Sequence, residues 1–248
     1  MIVRRSAGEL AIMREAGRVT AQALSAVGAA VAPGVTTGEL DEVAVAVIEA
    51  AGAKPAFKGY HGFPATICAS RNGEVVHGIP GGTRLVEGDI ISIDMGAIVD
   101  GYFGDSARTF AVGKVSPEAV ALMDATRRSL EAGIAQCVPG HRLYDIGAAV
   151  QAVAEAAGFS VVREYVGHGI GRAMHEEPQV PNYGTAGKGP QLLPGMVLAI
   201  EPMINAGGAG VRQLDDGWTV VTADGKLSAH FEHTVAITET GPYVLTVE

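Results

Sequence analysis

The sequence predicts an α+β fold built from two similar α-α-β halves, paired about a pseudo-twofold axis and sharing one curved sheet. Three observations carry this expectation. Capped helical periodicities come in two pairs, near residues 6–52 and 116–158. Gly-rich turns and short β-branched runs follow each pair. Finally, a shift of 106 positions lays Pro33-Gly34 on Pro139-Gly140, Ala46-Val47 on Ala152-Val153 and Glu49-Ala50-Ala51-Gly52 on Glu155-Ala156-Ala157-Gly158. At offset 107, His61-Gly62 falls on His168-Gly169, Gly88 on Gly195, Ile93 on Ile200 and Asp94 on Glu201. One nearly constant offset over such a span indicates internal duplication.

The elements follow in order. Ser6 to Glu9 has the form of a capping box, and apolar residues from Leu10 to Val31 continue the first helix until Pro33-Gly34. Thr36 with Glu39 opens a second helix that ends at Gly52. Ser116-Pro117 starts a third, running to about Cys137, and a fourth follows Pro139-Gly140 and ends at Gly158. Two repeats are too few for a solenoid, so the halves should pair and share a site where equivalent residues meet. The 248 residues are therefore expected to form one domain, 1–248, with halves at about 6–112 and 116–248.

Composition excludes several classes. With 48% hydrophobic and 18% charged residues the chain can bury a large core, which argues against disorder. Eighteen Lys and Arg against 27 Asp and Glu give a net charge of -9, which disfavours nucleic acid or an anionic membrane as partner. No apolar run follows Arg4-Arg5, and the longest uncharged stretch, Val19 to Gly38, contains Gln22, Pro33 and Gly34. Neither an export signal nor a spanning helix is expected. Cys68 and Cys137 are too few for a disulfide framework and lack zinc-site spacing, which suits a reducing cytoplasm.

Four acids stand out. Ile90, Ser92 and Asp94 share one face of a strand, and Val197, Ala199 and Glu201 share the equivalent face. Asp105 aligns with Ala107 and Thr109, and Glu232 with Thr234 and Ala236. Two like charges about 4 Å apart repel by roughly 4 kcal/mol even at an effective dielectric near 20, so four inward acids need a counter-charge. Arg108 points to the other face, and no Lys lies within Ile90 to Phe110, Met196 to Ile204 or His230 to Ile237. Four carboxylates and one imidazole suit two divalent first-row ions sharing bridging carboxylates. Among seven histidines, His168 lies between two glycines able to turn sharply, with His61 as its partner by symmetry. His175 and His77 stand in distinctive contexts, His141 and His230 in none, and His233 should face away from Glu232.

These residues resemble the type I methionine aminopeptidases. The segment from Tyr165 to Tyr183, with His168 and His175, is similar to that family's signature; so are Ser92-Ile93-Asp94, Gly104-Asp105, Ile200-Glu201-Pro202-Met203 and Phe231-Glu232-His233-Thr234. The likeness covers essentially the whole chain, without an N-terminal zinc-binding or Pro-rich extension, and the 26 positions from His175 to Glu201 leave no room for the type II insertion.

The resemblance implies the pita-bread fold, two pseudo-twofold-related α-α-β halves around a curved antiparallel sheet, and removal of the initiator methionine when the second residue is small and uncharged. It implies that Asp94, Asp105, His168, Glu201 and Glu232 bind two divalent ions, Mn, Fe, Co or Zn, with Asp105 and Glu232 bridging. By the same likeness His77 and His175 contact substrate, Glu201 is general base or proton shuttle, and Tyr60, Phe63, Cys68 and Trp218 form the methionine pocket. Phe63, Val76 and Met174 depart from the Tyr, Cys and Phe common in bacterial members. The implied partner is the N-terminus of a peptide or nascent chain, met in transient contact with the ribosome by a monomeric protein. Rival readings are a peptidase acting on Xaa-Pro peptides, which usually carries an extra N-terminal domain, a non-catalytic relative that binds partner proteins, and a metal-free hydrolase of the same fold.

Overall fold

The computed structural model describes residues 2–248. Helix α1 (Ala7–Ala30) starts at the Ser6/Glu9 capping box, and α2 (Thr37–Ala50) at the Thr36/Glu39 box. Strands β1 (Lys54–Pro55), β2 (Ile67–Arg71), β3 (Glu74–Val76), β4 (Ile90–Val99) and β5 (Tyr102–Ala111) complete the first half, with a short 3-10 turn at Tyr60–Gly62. Helices α3 (Pro117–Ile134) and α4 (Leu143–Ala156) open the second. Ten short strands follow: β6 (Ser160–Val161), β7 (Gly167–Gly169), β8 (Glu176–Val180), β9 (Val197–Ile200), β10 (Met203–Asn205), β11 (Val211–Gln213), β12 (Val220–Thr222), β13 (Ser228–His230), β14 (His233–Thr238) and β15 (Gly241–Val244). Helix α3 thus ends three residues before the expected Cys137, and α4 starts on Arg142, whose N–H donates to Asp145 at 2.7 Å.

Both helix pairs pack on the outer faces of strands through the apolar stripes that predicted them. Val19, Val27, Leu40 and Ile48 meet Ile91, Ile93 and Met95 in one half; Leu130 and Ile146 meet Leu198, Ile200, Val235 and Ile237 in the other. In the first half β4 pairs with β1 and β2 on one edge and β5 on the other; the second runs β15-β14-β9-β7-β8. Every recorded strand pairing in the described residues is antiparallel.

The two sheets meet along β5 and the β13–β14 segment, but no regular ladder closes the seam. One backbone bond crosses, from Glu232 N–H to the Ala107 carbonyl at 2.9 Å. Hydroxyls occupy the neighbouring places: Thr234 Oγ1 accepts from Asp105 N–H (3.0 Å) and donates to the Asp105 carbonyl (2.8 Å), while Thr109 Oγ1 does the same for His230 (2.9 Å each way). On either side of that one bond threonine hydroxyls take the place of ladder partners, so the expected single sheet is stitched in its middle by threonines.

The halves also differ in continuity. Strand β4 runs unbroken through Asp94, whereas its counterpart divides into β9 and β10 around Pro202, which has no N–H to give a ladder. Glu201 and Glu232 accordingly lie just beyond strand ends rather than inside strands. The segment between β10 and β13 forms the β11–β12 hairpin, and β12 pairs with β3 just before His77.

Helix α1 crosses β5 at Gly17 and Gly104, where a Cβ on Gly104 would stand 2.6 Å from the Gly17 nitrogen. Backbone cannot retreat as a flexible side chain does, so Gly104→Ala is expected to destabilise by about 3 kcal/mol. For a chain of this size that lowers the thermal midpoint by roughly 6–12 °C; a change under about 2 °C in a melting curve would show that the crossing relaxes at little cost. Among the described residues no helix is long and apolar enough to cross a membrane.

Candidate metal centre

One cavity of about 400 Å³ opens where the halves meet, and all eleven expected site residues line it. Tyr60, Phe63, Cys68, His77, Asp94, Asp105, His168, His175, Glu201, Trp218 and Glu232 are joined there by Phe57, His61 and Met174.

The acidic end is built from strand register. Asp94 on β4 lies opposite Cys68 on β2 and Ala107 on β5, and Asp105 lies opposite Gly96. Asp105 and Glu232 are buried, and donor atoms of Asp105, His168 and Glu232 all fall within 4.8 Å of one another. His168 Nε2 stands 3.5 Å from Glu201 Oε1 and 3.9 Å from Asp105 Oδ2. Its Nδ1 lies 2.9 Å from the Gly169 carbonyl, so Nδ1 carries the proton and donates there, leaving the Nε2 lone pair toward the acids. Burial pushes the His168 pKa down to about 4, which keeps the ring neutral.

The glycines beside His168 serve close approach rather than a sharp turn. Neither has a positive φ; a Cβ on Gly167 would strike the Ala199 carbonyl, and one on Gly169 the Glu177 carbonyl. They let β7 lie tightly between β8 and β9 and so fix the depth of the imidazole.

The acids are electrostatically uncomfortable as they stand. Burial raises Asp105 to about 7, and burial followed by the neighbouring acids lifts Asp94, Glu201 and Glu232 well above the usual carboxylate range. Asp94 Oδ1, Asp105 Oδ1 and Glu232 Oε1 are buried without a hydrogen-bond partner. Among the described residues no Lys or Arg forms an ion pair with any of the four; only histidines approach them. Orphaned carboxylate oxygens converging with a neutral imidazole nitrogen are the donor set of a divalent cation, and the residues fit one.

The rest of the cavity is apolar and aromatic. Phe63 meets Trp218 edge to face at 5.1 Å, Met174 and Cys68 are buried in the same cluster, and burial pushes the Cys68 thiol well up, so it serves as a neutral wall. His175 opens onto the cavity with Nδ1 2.8 Å from the Tyr60 hydroxyl, its ring 4.1 Å from that of His168. His77 sits in the left-handed region at φ 61, a strained position for a non-glycine, and lies edge-on to Tyr165 and Trp218. Burial lowers its pKa to about 4.

Two sequence assignments change. His61 is not the symmetry partner of His168: β7 pairs His168 with Ala199, and β2 pairs Ser70 with Ser92, the residues two before each acid. Ser70 is the true counterpart, because the loop after α2 and the loop after α4 differ in length. His230, which lacked context in the sequence, is wholly buried with Nε2 unpartnered, 3.7 Å from Glu201 Oε2. Its signal was its position two before Glu232, on the same face. His233 does face away, bonding Thr246 Oγ1 at 2.8 Å, and His141 is exposed.

Comparison with known proteins gives the same answer from outside the geometry. The profile of metallopeptidase family M24 matches residues 11–239. A relative from Bacillus subtilis (strain 168), methionine aminopeptidase 1, is 54% identical over 246 residues, spanning 99% of each chain. The methionine aminopeptidase of Clostridium perfringens is 52% identical over 247 residues, spanning 100% of this chain and 99% of its own. The crystal structure of methionine aminopeptidase from Thermotoga maritima superposes with a TM-score of 0.99 at 45% identity, over 100% of both chains. An acid-lined cavity between duplicated halves, found in the same place on a full-length match, makes this chain a member of metallopeptidase family M24 with the pita-bread fold.

Proposed function

We propose that this enzyme hydrolyses the N-terminal methionine from peptides and nascent proteins whose second residue is small and uncharged. The observation that carries the reading is a single cavity with a metal-fitting acid cluster at one end and a wall of Phe63, Cys68, Met174 and Trp218 at the other. Such polarisable apolar walls suit a thioether side chain. The preference for a small second residue rests on the relatives.

Asp94, Asp105, His168, Glu201 and Glu232 would hold two divalent ions, Mn, Fe, Co or Zn. When bound, these ions supply Lewis acidity toward a water and toward the peptide carbonyl. The protein's own groups do the rest. The acid cluster receives the substrate α-ammonium, which restricts action to chain ends. His175, with Nδ1 engaged by Tyr60, presents Nε2 as a donor to the carbonyl oxygen as it gains charge. His77 contacts the scissile amide nitrogen. Glu201 takes the proton from the attacking water through a carboxylate oxygen.

Residues 1–248 act in this reading as one catalytic domain, since Asp94 and Asp105 come from the first half and His168, Glu201 and Glu232 from the second. It extends to a monomer in the cytoplasm acting on nascent chains in transient contact with the ribosome; gel filtration checks the first point, cell fractionation the second and ribosome co-sedimentation the third. The decisive assay is methionine release from Met-Ala-Ser, with loss on chelation and return on adding a divalent ion. Absence of turnover with every first-row ion removes the proposal, and release of the first residue only from Xaa-Pro peptides replaces it with a proline-directed peptidase.

A further inference from the structure

The turn from Gly171 to His175 delivers Met174 and His175 to the cavity and has no helix or strand of its own before β8 begins at Glu176. Gly171 N–H donates to the Ala173 carbonyl at 3.1 Å, the Gly171 carbonyl accepts from Phe103 N–H at 2.9 Å, and one carboxylate fastens the rest. Glu176 Oε1 accepts from Arg172 N–H (2.8 Å) and Ala173 N–H (3.1 Å), closing the turn around itself. The other oxygen, Oε2, pairs with the guanidinium of Arg5, 171 residues away in sequence, whose side chain is only 6% exposed.

Arg5 reaches that place by a fixed route. Its N–H donates to the Gly195 carbonyl at 2.6 Å, and Arg4 Nε donates to the Pro194 carbonyl at 2.6 Å, so the segment before α1 is strapped across the loop that leads into β9. The guanidinium then lies against Gly171, where a Cβ would collide with it. On its far side stands Glu9, 3.8 Å away, which accepts from the Tyr102 hydroxyl at 2.8 Å; the Arg172 guanidinium covers the Tyr102 ring at 4.3 Å. Arg5 therefore sits in a socket formed by Glu176, Glu9 and Gly171, and a planar fork fits two carboxylates there as an ammonium would not.

We propose that Arg5 is a positioning residue for His175: docked over Gly171 and paired with Glu176, it locks the 171–176 turn so that the imidazole faces the reacting carbonyl. The inference rests on the role given to His175 above. It makes the extreme N-terminal segment part of the active-site support, reaching the centre only through the turn.

The test compares Arg5→Ala, Arg5→Lys, Glu176→Gln and the Arg5→Ala/Glu176→Gln double variant with the parent protein. Because a supporting contact to a catalytic group is worth about 10- to 100-fold, kcat on Met-Ala-Ser should fall by that factor in Arg5→Ala and in Glu176→Gln. KM and divalent-ion affinity by calorimetry should stay within about threefold, since the metal-fitting residues lie elsewhere. The double variant should be no slower than the slower single one, as expected of residues acting as a unit, and Arg5→Lys should recover part of the loss. In metal-free protein carrying 13C-histidine, the His175 resonance should shift or broaden in the same variants while that of His77 stays in place. If Arg5→Ala does not fold, Glu176→Gln and Arg5→Lys carry the test. Folded Glu176→Gln with kcat within twofold of the parent, or an unmoved His175 resonance, overturns the proposal. A parent protein that releases no methionine would overturn the activity itself, and the resonance arm would still decide whether Arg5 positions His175.

Discussion

Replacing Asp105 by Asn is expected to move activity and metal-free stability in opposite directions. The carboxylate is buried, its Oδ1 has no partner, and burial raises its pKa to about 7. An acid whose folded pKa lies above its unfolded value of about 3.9 binds more protons when folded, so it favours the fold below pH 4. That advantage is lost as pH rises through 7. Metal-stripped protein should therefore lose stability between about pH 4 and 7, and Asp105→Asn should flatten that part of the curve. At pH 7.5 the metal-free variant is expected to be about 2 kcal/mol more stable, a rise of roughly 4–8 °C in thermal midpoint. Turnover should fall by more than about 100-fold, because even outer contacts to a metal ligand are commonly worth 10 to 100. Differential scanning calorimetry of chelated samples across pH, beside a methionine-release assay, checks both signs. A metal-free midpoint below that of the parent would mean that Asp105 is stabilised by its surroundings and is not waiting for a cation.

What could be read without coordinates follows the range of the interaction. Ser6/Glu9 and Thr36/Glu39 are local signals, and both helices start where those residues say. The four acids were legible because charge on an apolar strand face is costly wherever the strand goes, and strand parity survived even where Pro202 broke the strand. Offset matching worked for the helices and for Asp94 with Glu201, whose surroundings duplicate; it did not relate Asp105 to Glu232, which only strand parity picked out. It failed for His61, because loop lengths between the duplicated elements are unequal and an equal shift in sequence lands on the 3-10 turn at Tyr60–Gly62 in one half and on β7 in the other.

The histidines show a further limit. His230 could be placed on the face of Glu232, but its meaning comes from Glu201, which arrives from β9 across the cavity. Arg5 is more remote still: nothing near residue 5 announces Glu176, and nothing near residue 176 announces Arg5. Long-range pairs of this kind leave no periodicity, cap or turn residue behind. The hydroxyls at Thr109 and Thr234 belong with them, since small residues beside the acids were visible but their bonds across the seam were not. The local code thus specified the walls of the site, and the contacts that hold the turn carrying His175 and the seam between the halves came from topology.

Glu201→Gln should abolish turnover while leaving the fold intact. The backbone at this position is held independently of its side chain: the Glu201 carbonyl accepts from the amide of fully buried Asn182 at 3.1 Å. A glutamine is nearly isosteric, so the thermal midpoint should change little. Chemically the two differ greatly. Burial, with Asp94 and Asp105 nearby, lifts the Glu201 carboxyl well above its usual range, which makes its carboxylate a stronger base in the metal-free site. Its two oxygens lie 3.5 Å from His168 Nε2 and 3.7 Å from His230 Nε2, so it spans the accepting histidine and the buried one behind it. An amide cannot take up a proton near neutral pH, and loss of a positioned general base commonly costs about 10²–10⁴ in rate. The same residue is also a proposed metal ligand, and the two roles separate by titration. If Glu201 served only to hold a cation, raising the divalent-ion concentration to saturation would restore the Gln variant. The expected result is a persistent loss of at least about 100-fold in kcat at saturating ion, with KM little changed. Recovery to within about tenfold of the parent would assign Glu201 to the metal alone and return the proton to another group.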